Sequence, residues 1–186
     1  MPTAALLDPA LTLTMPARTT AATGFDALTH CLEAYVSLGD HPMADAIALG
    51  GLRLVAEHLT RAVAHPSDLE ARGAMMKAAM MGAVAFQKGL GVCHSLAHPL
   101  SSEKNLHHGL ANALCLPAVV DFNNQAVPDR IERVRFRCAF KVFRPDDDML
   151  IAECQQTLAL IELPAAKLLR LPQSWDQYRA AVTAGN

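Results

Sequence analysis

The chain has 186 residues, of which 52% are hydrophobic and 18% are charged, and its formal net charge is −2. This length suits one ordinary domain with a substantial core. With a slightly negative balance and no Lys/Arg run, neither nucleic acid nor an anionic membrane is an expected partner. The apolar residues are mainly Ala, Leu and Met with few aromatics, which favours helix over strand, so we expect an all-α fold.

Five cysteines are scattered along the chain without a Cys-x-x-Cys pair. An odd number of cysteines with no secretion signal is typical of reduced thiols, so we expect a cytoplasmic protein. The longest apolar stretch, residues 74–86, is interrupted by Lys77. It is too short to span a bilayer and is interpreted as a buried helix.

Hydrophobic periodicity predicts five helices, which cover residues 16–37, 42–65, 67–87, 110–123 and 149–161. The third should begin with a capping box formed by Ser67 and Glu70. Pro117 should kink the fourth. No alternation of apolar and polar residues is assigned to a sheet, and the pattern weakens after Asn124.

Two helically spaced pairs carry the main functional signal. Asp26 and His30 are spaced i,i+4, so both side chains can reach one ion. His94 and His98 repeat that spacing, and His108 can return to the same ion if the intervening chain turns back. Imidazoles with one carboxylate and no thiolate suit Fe²⁺, Zn²⁺ or another divalent metal and leave coordination positions open. Four ligands drawn from five candidates leave one histidine beside the ion, free to touch substrate or cofactor.

Structural explanations compete with this one. An isolated histidine at an apolar helical position, such as His41, His58 or His65, is usually structural, and a single Asp-x-x-x-His occurs on many surface helices. Other metal enzymes fit less well: a helical phosphohydrolase needs an adjacent His-Asp pair, which is absent, and a zinc peptidase needs a glutamate where Ser95 stands. The joint pattern, more than any one pair, favours a metal site.

Four runs of sequence resemble signatures of the iron-containing alcohol dehydrogenase family: DPALT at 8–12, TAATGFDALTHCLEAY at 20–35, GLGVCHSLAHPL at 89–100 and HGLANA at 108–113. The resemblance covers roughly residues 3–124. It implies the helical C-terminal domain of that family, and we expect residues 1–186 to form a single helical metal-binding domain in which 125–186 are divergent or curtailed.

The resemblance also implies roles for the candidate residues. The family's metal ligands fall on Asp26, His30, His94 and His108, and its further histidine falls on His98, which lies near the nicotinamide and substrate and is not a ligand. In such enzymes the metal binds the alcohol oxygen, and hydride passes from the carbinol carbon to NAD(P)⁺. All four ligand positions are filled here, unlike those of metal-independent relatives such as maleylacetate reductases. Phe86 and Leu90 are expected either near the substrate pocket or in the core.

Full-length members of the family also have an N-terminal α/β domain whose glycine-rich turn holds the dinucleotide. This chain has no G-x-G-x-x-G, so we expect it to correspond to the C-terminal half, beginning at its own Met1. Two hypotheses follow. The chain is the metal-binding catalytic portion of an NAD(P)-dependent enzyme for a small alcohol or aldehyde, or it is a non-catalytic metal-binding remnant or fragment. The expected protein partner is a second copy (a homo-oligomer) or a separate nucleotide-binding half.

Overall fold

The computed structural model describes residues 3–143 and 150–160, with side chains described for residues 3–134. The chain divides into two compact units, residues 1–134 and 135–186. All the described helices lie in the first unit. The boundary between the units falls within the segment that the sequence analysis sets apart as divergent.

The helices of the first unit are α1 (Ala17–Val36), α2 (Pro42–Ala64), α3 (Leu69–Ala85), α4 (Val92–Lys104), α5 (His108–Ala126) and α6 (Pro128–Arg133). Short 3₁₀ turns occupy Pro9–Thr12 and Phe86–Lys88. The all-α prediction is confirmed for this unit. Its first four predicted helices correspond to α1, α2, α3 and α5, and α5 is continuous across Pro117.

Helix α1 is the central element of the unit because it packs against α2, α3 and α5. Its apolar residues Leu28, Leu32 and Tyr35 recur at helical spacing and are all buried. Leu52 and Val55 of α2, the helix that packs against α1, are buried as well. Polar groups on the buried face of α1 therefore need partners within the fold.

The start of α3 differs from the capping box predicted at Ser67. Asp68 is the N-cap, and its carboxylate accepts a hydrogen bond from the Ala71 backbone N–H at 3.0 Å. The same carboxylate also accepts from Arg61, as does Glu70. An aspartate that caps and pairs with an arginine at once outcompetes the neighbouring serine hydroxyl.

Helix α4 carries the predicted turn between the histidines. It begins after Gly91, runs through Pro99 and ends at Asn105, whose φ of 52° lies in the left-handed region. Asparagine tolerates that conformation better than most residues, so it reverses the chain after the helix. Helix α5 then starts at His108, which returns towards α4.

The described part of the second unit corrects two expectations. Val134–Phe143 and Leu150–Leu160 are strands, β1 and β2, and they are neighbours in a two-stranded sheet. The predicted helix at 149–161 is therefore wrong over 150–160, and the sequence does contain a strand signal. Residues 134–143 read VRFRCAFKVF, in which apolar and basic residues alternate over much of the segment. That period of two is typical of a strand.

Among the described residues, no helix is long and apolar enough to cross a membrane.

Candidate metal centre

Three predicted ligands meet at one point. Asp26 of α1, His94 of α4 and His108 of α5 each offer a ligand atom, and these atoms all lie within 4.8 Å of one another. The Oδ1 atom of Asp26 is 3.5 Å from His94 Nε2 and 3.4 Å from His108 Nε2. Three different helices therefore direct one carboxylate oxygen and two imidazole nitrogens towards a common space.

His30 lies beside this group. Its Nδ1 atom is 3.7 Å from Asp26 Oδ2, and its ring stacks on the ring of His94 with 4.4 Å between centroids. On the other side, the ring of Phe86 lies 5.2 Å from that of His30. The role of His30 as a fourth ligand stays a prediction. Phe86 is half-buried and contacts this edge of the cluster, whereas Leu90 is exposed.

His98 occupies the open side of the cluster. It is one turn beyond His94 on α4, and its side chain is exposed. Its ring stacks on that of His108, with 5.2 Å between centroids, and meets the ring of His94 edge-on at 6.1 Å. An exposed imidazole at this distance can reach a molecule approaching the three-ligand group from solvent.

Glu33, which the sequence analysis did not single out, lies next to His94 and accepts hydrogen bonds at the start of α4. Its side chain is 0% exposed. One oxygen accepts the backbone N–H of Cys93 at 2.6 Å, and the other lies 2.6 Å from His94 Nδ1. A signal was present in the sequence, because Asp26, His30 and Glu33 follow one another at i, i+4 and i+7 along one face of α1.

Asn112 is the second residue that sequence reasoning missed. It is fully buried, and its Nδ2 atom donates to Asp26 Oδ1 at 2.7 Å. The same amide lies 3.2 Å from His108 Nε2 and 3.5 Å from His94 Nε2. Its spacing of four residues from His108 on α5 places both on one face of the helix, which is the signal that could have found it.

The charges of the cluster favour metal binding. Burial raises the pKa of Asp26, but the hydrogen bond to His94 and the nearby imidazoles outweigh it, so that pKa is lowered. Burial is the main cause that lowers the pKa of both His30 and His108. For His94 burial also acts downwards, yet the hydrogen bonds to Asp26 and Glu33 raise its pKa to about 9. The site thus combines a charged carboxylate with imidazoles that are neutral at His30 and His108, the form that binds metals, whereas His94 carries a proton that a bound ion would have to displace.

The donor set fits a divalent ion of borderline hardness. Carboxylate and imidazole donors suit Fe²⁺ and Zn²⁺. The thiol of Cys93, which precedes His94, donates to the backbone carbonyl of Asn112 at 3.4 Å. Burial raises the pKa of Cys93 strongly, which keeps it a neutral thiol and a poor ligand.

The histidines that were interpreted as structural lie away from the cluster. His41 is the N-cap of α2, and its Nδ1 accepts from the Ala44 backbone N–H at 3.2 Å. His65 is the C-cap residue of the same helix. His58 lines an apolar pocket between the start of the chain, α2 and α3, and its Nδ1 is buried without a hydrogen-bond partner among the described residues.

Comparison with known proteins identifies what this arrangement belongs to. The sequence model described as the C-terminal part of the Fe-containing alcohol dehydrogenase family matches residues 20–165. The 4-hydroxybutyrate dehydrogenase of Cupriavidus necator is 48% identical over 144 residues, which covers 73% of this chain and 38% of that protein. The 1,3-propanediol dehydrogenase of Citrobacter freundii is 44% identical over 131 residues, or 70% of this chain and 34% of that one.

Solved structures agree with the sequence matches. A crystal structure of 1,3-propanediol oxidoreductase superposes with a TM-score of 0.66 at 44% identity, covering 67% of this chain and 33% of that chain. A sulfoacetaldehyde reductase from Bifidobacterium kashiwanohense, in complex with NAD⁺, gives a TM-score of 0.60 at 34% identity over 62% of this chain and 31% of that one. The chain therefore spans only about a third to two fifths of the length of these relatives.

Proposed function

The chain belongs to the Fe-containing alcohol dehydrogenase family, as part of its C-terminal helical region, and from this premise we propose that it is the metal-binding catalytic portion of an NAD(P)-dependent alcohol dehydrogenase. The observation that carries the proposal is the convergence of Asp26, His94 and His108, whose ligand atoms lie within 4.8 Å of one another. The substrate class is a small alcohol or aldehyde, by analogy with the named activities of the relatives.

In this proposal Asp26, His30, His94 and His108 hold the metal, which is Fe²⁺, Zn²⁺ or another divalent ion. A divalent ion held there supplies Lewis acidity towards an alcohol or aldehyde oxygen. Asp26 contributes the negative charge that offsets the ion, and the histidines contribute neutral nitrogen donors.

His98 is the proposed catalytic and cofactor-contacting residue. Its exposed ring, beside His108, is accessible from the open side of the cluster. There it contacts the substrate and the nicotinamide, and its ring nitrogens can hold a proton next to the reacting oxygen. Because His98 is proposed to contact the substrate and the cofactor and not the ion, its removal should reduce turnover more than it reduces metal binding.

Cofactor binding in this proposal requires a second protein surface in addition to the one that this chain provides. Near the cluster, α4 and the segment before it expose Leu90, Val92 and Leu96, which are 40%, 37% and 47% exposed. Apolar side chains grouped in this way are typical of a surface that another polypeptide or ligand covers. We propose that a nucleotide-binding half, or a second copy of the chain in a homo-oligomer, supplies that surface. The proposed location of the protein is the cytoplasm.

The second candidate function is metal binding without catalysis. It is favoured by the match to only about a third to two fifths of each relative's length, since hydride transfer needs a bound dinucleotide as well as the metal. A remnant or fragment of this kind would keep the ion and fail to oxidise NAD(P)H.

The test measures aldehyde-dependent oxidation of NADH and NADPH by the full chain loaded with Fe²⁺ or Zn²⁺. The chain is assayed alone and with the separately produced part of the Cupriavidus necator relative that lies outside the match. The proposal is supported if the chain is active, alone or with that part, and if the activity is lost in Asp26→Ala and strongly reduced in His98→Ala. No activity with the relative's part present, in a preparation that retains its metal, contradicts the catalytic proposal and favours the non-catalytic one.

A further inference from the structure

Glu33 reaches from α1 to the first turn of α4 and accepts hydrogen bonds there from three donors. Its Oε1 atom accepts the Cys93 backbone N–H at 2.6 Å. Its Oε2 atom lies 3.3 Å from the His94 backbone N–H and 2.6 Å from His94 Nδ1. A carboxylate is an acceptor only, so each of these three nitrogens must carry the hydrogen.

The contact to the ring decides which nitrogen His94 offers to an ion. Because Nδ1–H is donated to Glu33, Nε2 is the atom left to bind a metal. Nε2 is also the atom that faces the other ligands, 3.5 Å from Asp26 Oδ1. A carboxylate that holds the distal nitrogen of a metal-binding histidine fixes both its tautomer and its ring orientation.

The backbone contacts make Glu33 a substitute N-cap for α4. Gly91 is the N-cap residue of that helix, and it offers no side-chain hydrogen bond. A Cβ atom on Gly91 would lie 2.8 Å from Glu33 Oε1. The absence of a side chain at Gly91 therefore lets the carboxylate approach the exposed N–H groups that begin the helix.

We propose that Glu33 is a positioning residue of the metal site: it fastens the start of α4 to α1 and directs His94 Nε2 at the ion. This inference rests on the proposed metal-binding function. It extends that function, because Glu33 lies outside the expected ligand set and acts through His94. The two ligand-bearing segments, at Asp26 and at His94, are thereby held in register by a single buried side chain.

The first experiment compares zinc affinity of the full chain and its Glu33→Gln variant by competition with a chromogenic chelator. Glutamine is similar in size but has one acceptor oxygen and an amide that donates, so it favours a proton on His94 Nε2. We expect a loss of about 10- to 100-fold in affinity, the range for supporting partners of metal ligands. The matched control is Glu57→Gln, which changes a half-exposed glutamate on α2 and should leave affinity unchanged.

A second variant covers the case in which Glu33→Gln does not fold. Gly91→Ala keeps the carboxylate but introduces the Cβ that collides with it. Its backbone φ of −123° is accessible to alanine, so the substitution adds no backbone strain. We expect this variant to fold, as monitored by far-UV circular dichroism, and to bind zinc more weakly than the wild type.

Nitrogen-15 NMR of the zinc-loaded chain provides a measurement that a merely structural glutamate would not change. The proposal expects zinc on His94 Nε2 and a proton on Nδ1 in the wild type, with that proton signal shifted or lost in whichever variant folds. Wild-type affinity in both variants, or zinc on Nδ1 of His94, would overturn the role of Glu33 while leaving the metal site intact. A wild-type chain that binds no zinc would overturn the metal site and this inference together.

Discussion

Asp26 is the residue through which the cluster is connected. Its Oδ1 atom accepts from Asn112 and faces His94 and His108, while Oδ2 faces His30. Histidines packed this closely would repel one another if protonated, and the aspartate supplies the charge that offsets them. The same arrangement makes Asp26 the most sensitive ligand position, since it is the only carboxylate in the three-ligand group.

The first prediction separates the ligands from the spare histidine. Asp26→Ala and His94→Ala should each abolish tight metal binding, because each removes a donor from the three-ligand group. His98→Ala should spare metal binding, because His98 is exposed on the open side of the cluster. Metal titration of the three purified variants checks this. Equal metal loss in all three would show that the separation of roles is wrong.

A second prediction concerns an ion-pair network away from the site. Asp45 pairs with Lys88 Nζ at 2.5 Å and Arg130 Nη1 at 2.9 Å. Burial raises the pKa of Asp45, but the hydrogen bonds from Lys88 and Arg130 outweigh it and lower the pKa overall. The resulting stabilisation is present above the unfolded pKa of about 3.9 and is lost as the pH falls below it.

Asp45→Asn should therefore lower the free energy of unfolding at neutral pH by about 3 kcal/mol, because Lys88 would keep a buried ammonium without its carboxylate. The difference between variant and wild type should shrink between about pH 5 and about pH 2. Urea denaturation across that range measures it. A difference that stays constant with pH would contradict the assignment.

The sequence indicates the candidate metal ligands better than it indicates the residues that hydrogen-bond to them. Asp26 and His30 follow helical spacing, and all four expected ligands fall in the family signatures, so the proximity of Asp26, His94 and His108 could be anticipated. The spacing of Glu33 places it on the same face of α1, but its partners are 60 and 61 residues away, so the spacing does not reveal which groups it contacts. Asn112 depends likewise on how α5 packs against α1.

At the scale of elements, the closest approach that holds the site together is that of α5 to α1. A Cβ atom on Gly109 would collide with the backbone carbonyl of Ala22. The obstacle is backbone, so no side chain can rotate away from it. Since Gly109 adjoins His108, the close packing of α5 against α1 also positions His108, one of the candidate ligands.

Gly109→Ala should accordingly destabilise the protein by about 1–3 kcal/mol, the usual cost of overpacking, and it should weaken metal binding through His108. Gly73→Ala is the matched control, because its Cβ would meet only Pro9, at ordinary distances of 3.6 Å from Cγ and 3.8 Å from Cβ. That change on α3 should be neutral or stabilise by up to about 1 kcal/mol, from helix propensity. Chemical denaturation of both variants tests the contrast, and equal stability of the two would refute it.

The helix boundaries could be predicted from hydrophobic periodicity and proline positions. The N-cap of α3 and the two strands were not predicted. The N-cap is Asp68 and not Ser67 because Arg61, at the end of α2, adds a second partner to the aspartate. The strands at Val134–Phe143 and Leu150–Leu160 were missed because helical expectations from the upstream pattern were extended past its end. The alternation in 134–143 was visible, and weighing it locally would have predicted the first strand.

At the scale of the whole molecule, the helical unit brings Asp26, His94 and His108 together, with the exposed His98 beside them. The family membership and the helical fold agree with the resemblance seen in the sequence. The chain covers about a third of the solved relatives' length, and the open side carries His98. The proposed metal binding can thus be tested in the chain by itself, whereas the proposed hydride transfer would also need a bound dinucleotide.

The most direct test of this account is the metal content of the purified full chain after anaerobic reconstitution with Fe²⁺ or Zn²⁺ and removal of excess ion. We predict about one ion per chain, as expected for a single site with protein ligands, and none retained by Asp26→Ala. A wild-type chain that is folded yet retains no ion would contradict the claim that Asp26, His94 and His108 form a metal centre.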